Sequence, residues 1–394
     1  MTSHDHVAPA DRRPAVLGFG TYDTRVHPRA GTVLEGLAAR GARVDQCVEP
    51  LGLSTAQRVA MLRQPWRLPL LGARLLGCWA RLAMRARGRT PDTVVVGYMG
   101  HFDIHLARLL FRHTPIVLDH LIGAGDTAAD RGVGGRLRGG LLRRLDRAAL
   151  RAADIVLVDT QEHRDLVPEA LRHKTVVAPV GAPDAWFKAA PEKETDKSTV
   201  TKVLIAEPNP LRVIFFGLYT PLQGAAVIGE ALGLLADAPV EATMVGDGQD
   251  RAATQRAAVA NPHVTWLDWV EAERLPGLVA GHDVCLGIFG TTAKAHRVVP
   301  NKVYQGLAAG CVVATSDTGP QRRALGDGDA VVFVPPGDPH ALAEALRSLA
   351  SDADEVKRRR AAGHALAQQR FTAHGVTAQP AERLRALPGL EALT

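Results

Sequence analysis

The stretch Asp283–Thr315, DVCLGIFGTTAKAHRVVPNKVYQGLAAGCVVAT, reads as one strand–helix–strand unit. Asp283–Ile288 and Cys311–Thr315 are short apolar runs, the pattern of strands buried on both faces. Between them a helix is expected to begin near Pro300–Asn301 and to run to Ala309 before Gly310. Lys294, Arg297 and Lys302 fall just before and inside its first turn. Free amides at a helix start with cations close by suit a phosphate-bearing ligand. The same charges also suit a solvated helix start, but that reading leaves unexplained why an apolar strand delivers three cations to one point.

Working outward, the same alternation fills the chain. Strands are expected at Pro14–Phe19, Arg43–Val48, Thr93–Tyr98, Pro115–Asp119, Asp154–Val158 and Thr175–Ala178, with helices such as Pro28–Arg40 and Arg164–His173 between them. Lys188–Pro210 turns charged and rich in Pro and Thr, and reads as a linker or surface insertion. The alternation restarts with strands at Leu211–Phe216, Glu241–Val245, His263–Leu267, Asp283–Ile288, Cys311–Thr315 and Ala330–Val334. Helices are expected near Gln223–Ala236, Gln249–Val259, Glu271–Ala280, Asn301–Ala309, His340–Leu349 and Ala353–Gln369. This predicts an α/β fold of two doubly wound, Rossmann-like domains facing a cleft. The expected division is 1–187, a linker over 188–210, a second domain over 211–372, and a tail over 373–394 packing back on the first domain.

Composition narrows the function classes. With 394 residues, 46% hydrophobic and 22% charged, the chain is globular and long enough for two or three domains. Residues 1–190 hold 27 Lys+Arg against 18 Asp+Glu, which leaves 20 against 23 beyond them, so the first half is basic at +9 and the second acidic at −3. That asymmetry suggests an anionic partner for the first half. Met61–Arg89 carries seven Arg and no acid, and Gly132–Arg151 six Arg and only Asp146. Both could lie on anionic lipid, or simply be solvated helix faces in a chain that uses 39 Arg and 8 Lys. No nucleic-acid module accompanies the charge. Cys47, Cys78, Cys285 and Cys311 show no paired spacing, which fits a reducing cytoplasm without disulfides or zinc. The first residues lack the apolar run of a signal peptide, and no apolar run is long enough to span a membrane.

FFGLYTPLQG at 215–224, VGDGQD at 245–250 and VVPNKVYQGLAAGCVVATSDTG at 298–319, in this order on two doubly wound domains, resemble the GT-B glycosyltransferases of family 4, the group 1 retaining enzymes. The resemblance covers about 14–372 and is strongest over 211–335. It implies a nucleotide-diphosphate sugar as donor, of GDP or UDP type, no permanently bound cofactor and no metal. The Gly217–Gly224 turn would approach the pyrophosphate. The family usually places an Arg and a Lys there, whereas this sequence has Leu218 and Gln223. Lys294, Arg297 and Lys302 are the candidates for supplying that charge to the leaving diphosphate. The family also carries two glutamates eight residues apart. The first aligns with Arg297 and the second, which holds the ribose, with Gln305. Resemblance further places Thr220, Gly246, Asp247, Gly248, Trp269, Val270, Asn301 and Val303 on the donor side, with Trp266 or Trp269 offering a flat face to the base.

In the first domain, Gly20, Thr21, Tyr22 and Asp23 close the first strand and are expected near the sugar and acceptor. His101, in YMGHFD, is the candidate for contact with the reacting carbon, able to polarise the sugar or shuttle a proton. Asp103, His105, Asp119, His120 and Asp126 lie at nearby positions, and the plainer reading of Asp119 is a helix cap. The expected activity is retaining transfer by front-face attack, the departing phosphate oxygen helping to deprotonate the acceptor. A small-molecule acceptor in natural-product assembly is expected. A small thiol such as ergothioneine in lincomycin-like assembly, or a lipid or glycan acceptor, stays open, as do peripheral membrane contact and a homodimer. A nucleotide-sugar 2-epimerase would need paired acids that are not found, while a non-catalytic sensor would explain the missing glutamates.

Overall fold

Strand residues sort by parity onto the two faces of each sheet, and that parity builds the fold. The computed structural model describes residues 13–24, 28–52, 68–121, 136–191 and 209–394. The chain divides into two compact units, one drawn from Met1–Val158, Arg164–Ala178 and Val376–Thr394, the other from Asp159–His163 and Pro179–Gly375. The chain passes between units at Ala178–Pro179, so the helix Asp184–Ala189 belongs to the second unit.

In the first unit the strands are β1 (Ala15–Gly20), β2 (Arg43–Val48), β3 (Thr93–Val96), β4 (Ile116–Asp119), β5 (Ile155–Val158) and β6 (Thr175–Val177). They form a parallel sheet of order β2-β1-β3-β4-β5-β6. Leu17, Phe19, Val94, Val96, Ile116, Leu118, Val156 and Val158 face one core together with Leu82, Ile104 and Ala149 from the helices Leu68–Ala86, Asp103–Leu110 and Arg136–Ala152. Val16, Val95, Val117, Ile155 and Leu157 face the other, covered by Val33, Leu34 and Leu37 of the helix Pro28–Ala39. Ala381, Leu384, Leu390 and Leu393 complete that second core. Four of the strands are buried along their whole length, whereas edge strand β2 is mostly open to solvent, with Cys47 its one buried residue.

In the second unit β7 (Leu211–Phe216), β8 (Val240–Val245), β9 (Val264–Leu267), β10 (Val284–Leu286), β11 (Val312–Ser316) and β12 (Val331–Val334) form a parallel sheet of order β12-β11-β10-β7-β8-β9. Sequence order reverses direction between β1 and β3 in one sheet and between β7 and β10 in the other. Open parallel sheets form their ligand crevices outside the strands' carboxyl ends at such reversals.

Two helices differ from expectation for reasons of proline chemistry. The expected helix Arg164–His173 is a helix over Gln161–Leu166 followed by a tight 3-10 turn, Glu169–Lys174. Pro168 stands between them with extended backbone and no amide to donate. The helix expected from Glu271 begins only at Leu275, where Pro276 occupies its first turn. Among the described residues no helix is long and apolar enough to cross a membrane.

Candidate functional site: the switch points of the two sheets

Lys302 is the centre of the second-unit site. It sits in the first turn of the helix Asn301–Ala308, after β10, and its side chain crosses to the turn after β7. Nζ donates to Gln223 Oε1 at 2.6 Å and lies 3.7 Å from the centroid of the Phe215 ring. It stands 3.3 Å from the point where a Cβ on Gly217 would be. The residue is 5% exposed, and burial pushes its ammonium down to about 7 from an ordinary 10.5. The thiol of Cys285, itself pushed up by burial to about 12, opposes that shift and donates to the Lys302 carbonyl. Among the described residues no carboxylate pairs with Lys302.

The turn that receives this ammonium is laced to its neighbours. Gly217 N donates to Val245 O and Tyr219 N to Asp247 O, so the loops after β7 and β8 run against each other. A Cβ on Gly246 would lie 2.0 Å from the Gly217 carbonyl oxygen, at a backbone φ of 117° that favours glycine. Gly224, at φ 67°, starts the helix Ala225–Gly233, and a Cβ there would meet the Phe289–Gly290 peptide at 2.4 Å. Phe289 N in turn donates to the Gln223 carbonyl at 3.0 Å, tying the turn to the end of β10.

The other residues singled out on the donor side divide. Gln305 is half-buried one turn beyond Lys302, and Asn301 is exposed at the helix start. Asp247 Oδ1 accepts from the Gly248 amide at 2.8 Å, so its carboxylate closes its own loop. Thr220 O accepts from Gln223 N at 2.9 Å. Trp269, 75% exposed, borders a groove of about 580 Å³ with Leu267, Val270, Glu271, Arg274 and Leu278. Trp266 packs against the core instead.

Two expectations are corrected. Val303 is wholly buried, its methyl against Gly287, because its place on the helix faces the sheet, so its side chain cannot reach a ligand. The picture of three cations meeting at one point also changes. Arg297 ends a 3-10 turn, Ala295–Arg297, and its Nε donates back to the Ala293 carbonyl at 3.0 Å. Lys294 is half-buried just before that turn, and Lys302 is the cation whose side chain meets the Gly217 turn through Gln223.

At the switch point of the first unit the ends of β1, β3 and β4 bring a polar cluster together. Asp103 Oδ2 accepts from Thr21 N at 2.7 Å and Thr21 Oγ1 at 2.8 Å, while its Oδ1 accepts from Trp79 Nε1 at 2.9 Å. A Cβ on Gly20 would stand 3.0 Å from that carboxylate. Tyr22 is buried against Gly97. Burial first, then Asp119 and Asp103, pushes its phenol well above the usual range. Asp119, expected as a site residue or cap, forms a buried ion pair with Arg29 at 2.6 Å, and Arg29 also holds the Ala178 carbonyl. Asp23 is half-buried, and Asp126 lies outside the described residues.

His101 differs most from its expected place. It is 3% exposed, with Nε2 3.1 Å from Asp146 Oδ1, close enough for an ion pair though not aligned as a hydrogen bond. Its ring meets that of the half-buried His120 edge-on, with centroids 5.3 Å apart. The loop holding it contains Met99 at φ 53°, a strained value for a non-glycine residue. His101 is thus a covered residue behind His120. Asp146 had a signal in the sequence, being the lone acid in an Arg-dense stretch. Trp79 as the partner of Asp103 had none.

Two six-stranded, parallel, Rossmann-like domains match the GT-B class of glycosyltransferase fold. Sucrose-phosphate synthase from Thermosynechococcus elongatus superposes with a TM-score of 0.67 at 14% identity, covering 95% of this chain and 99% of that one. Anabaena Alr3699/HepE in complex with UDP-glucose gives 0.63 at 16% identity, covering 95% and 100%. At these identities the likeness is one of fold. Within that class, residues 210–352, all in the second unit, match the family model described as glycosyl transferases group 1. Two phosphatidyl-myo-inositol mannosyltransferases are similar in sequence. The one from Mycolicibacterium smegmatis is 32% identical over 189 residues, 47% of this chain and 45% of the relative. The one from Mycobacterium leprae is 30% identical over 163 residues, 40% and 42%. The matched part is therefore less than half the length of these curated relatives.

Proposed function

We propose that this chain is a glycosyltransferase that moves a sugar, with retention, from a nucleoside-diphosphate sugar. The single observation that carries the reading is a buried lysine ammonium, held by a neutral amide, at the switch point of a group 1 glycosyl transferase domain. A dianionic diphosphate set against the Gly217 turn would supply the missing counter-charge. When the glycosidic bond breaks, charge grows on the departing phosphate oxygen, and a cation already fixed there stabilises it without reorganisation. Gln305 is assigned the ribose and the Trp269 groove the base. On the acceptor side, His120 takes the sugar edge, with His101 and Asp146 behind it. Four buried, unpaired cysteines fit a reducing cytoplasm.

Lys302→Ala should weaken UDP or GDP binding by at least about tenfold, roughly 1.4 kcal/mol. Thermal-shift screening with UDP, GDP and dTDP, followed by incubation with the matching nucleotide sugars, tests the whole reading. Slow donor hydrolysis is the expected result. Isomerised sugar would make the protein an epimerase, and binding without turnover would make it a sensor.

For the acceptor we favour a lipid presented at an anionic membrane surface. The helix Leu68–Ala86 packs on Asp103–Leu110, which packs on Arg136–Ala152. Together they leave Leu70, Leu76, Met84, Leu109 and Leu141 exposed. Arg74, Arg143, Arg144 and Arg147 stand exposed on the same helices, and Arg87 in the turn just after the first of them. Apolar side chains among arginines suit an anionic bilayer, and the relatives' printed names carry phosphatidyl-myo-inositol. Co-sedimentation with vesicles containing phosphatidylglycerol, and none with pure phosphatidylcholine, is expected. Failure to bind the anionic vesicles would return the acceptor to a small soluble molecule.

A further inference from the structure

Gln223 and Lys302 are 79 positions apart and come from different elements, yet their side-chain ends meet at 2.6 Å in the aromatic pocket beside Gly217. An ammonium has only donors, so the bond fixes the amide: Oε1 faces Lys302 and the two N–H of Nε2 are left to face elsewhere. Two ammonium groups could not both stay charged at this distance out of water. The pocket therefore holds one cation, the residue opposite it has to be an acceptor, and a neutral acceptor leaves that charge free for a ligand.

We propose that positions 223 and 302 act as one unit, a single cation and its aiming acceptor, so that the charge recognising the diphosphate can be exchanged between them. Gln223 is a positioning residue in this unit. Its carbonyl steers Nζ over the bare Cα of Gly217, and its own N–H groups reach a second phosphate oxygen. The proposal rests on the nucleoside-diphosphate reading above and adds to it the reason that a glutamine opens this site. The combined reach of one lysine and one glutamine is the same whichever position bears which, so exchange preserves the volume of the pocket. The lowered proton affinity of Lys302 fits a charge awaiting its anion.

The test measures UDP, GDP and inorganic pyrophosphate binding by calorimetry for four proteins, with folding checked by circular dichroism. These are the wild type, Lys302→Gln, the double exchange Lys302→Gln/Gln223→Lys, and Gln223→Glu. Lys302→Gln should lose about tenfold or more in affinity, and the double exchange should recover to within about threefold of wild type. In Gln223→Glu the new carboxylate neutralises the ammonium, so affinity should fall while the ligand-free melting temperature rises. A purely structural role for Gln223 would not move these two readouts in opposite directions. A double exchange as weak as Lys302→Gln alone overturns the proposal. So does a Gln223→Glu protein that binds like wild type, which decides the matter if the double exchange does not fold. If the wild type binds none of the three ligands, the donor-site reading itself is what fails.

Discussion

At the residue scale, Lys302 makes two pH predictions whose signs differ. Its ammonium titrates near 7 in the folded protein and near 10.5 when exposed, so between these values the unfolded chain holds more protons. Stability therefore rises with pH across that window, and the penalty for burying the charge is full below about 7 and absent above about 10. Melting curves of wild type minus Lys302→Met should show this slope, and equal slopes would remove the lysine from the pocket. Nucleoside-diphosphate affinity should run the other way. The ligand needs the charged form, so binding weakens as pH rises above about 7 in wild type and stays flat in Lys302→Met. Asp103 gives a prediction in the other unit. Asp103→Asn turns one of its acceptor positions into a donor facing the donors of Thr21 and Trp79. A loss of about 2 kcal/mol in urea unfolding is expected.

At the element scale, the β7 and β8 loops are set by close backbone approach, and Gly246 is where they touch. Gly246→Ala puts a methyl into the Gly217 carbonyl and forces a left-handed residue to carry a side chain. It should separate the loops and lower UDP or GDP affinity by about tenfold or more, read by calorimetry, with the sheet intact by circular dichroism. The sequence showed these loops as glycine-bearing turns between a strand and a helix, because glycine at such a turn has few other uses. It did not show which carbonyl each glycine meets, since that depends on how two loops cross. Helix limits behave the same way. Gly310 marked the end of Asn301–Ala308 in advance, while Pro168 split an expected helix because a missing amide matters only once the backbone's path is known.

At the scale of the whole molecule, the chain finishes its first core only after building its second. Leu384, Leu390 and Leu393 are almost wholly buried against β-strands laid down hundreds of residues earlier. Burial of three leucines contributes about 6 kcal/mol at about 2 each, comparable to a domain's entire stability. Removing residues 376–394 should therefore unfold the first unit, seen as loss of its melting transition while the second unit's persists.

The sequence by itself determined the twelve strands, their parallel class and the position of a lysine at the start of the decisive helix. Apolar runs buried on both faces and helix-start chemistry are local patterns, and local patterns survive in one dimension. Only the tertiary structure decided that Lys302, and not Arg297, enters the Gly217 turn, and that His101 lies covered behind His120 against Asp146. Those outcomes turn on side-chain direction and on pairs 79 and 45 positions apart, Gln223 with Lys302 and His101 with Asp146. No spacing rule encodes such contacts, because they arise from the order in which strands assemble rather than from the order in which residues are joined.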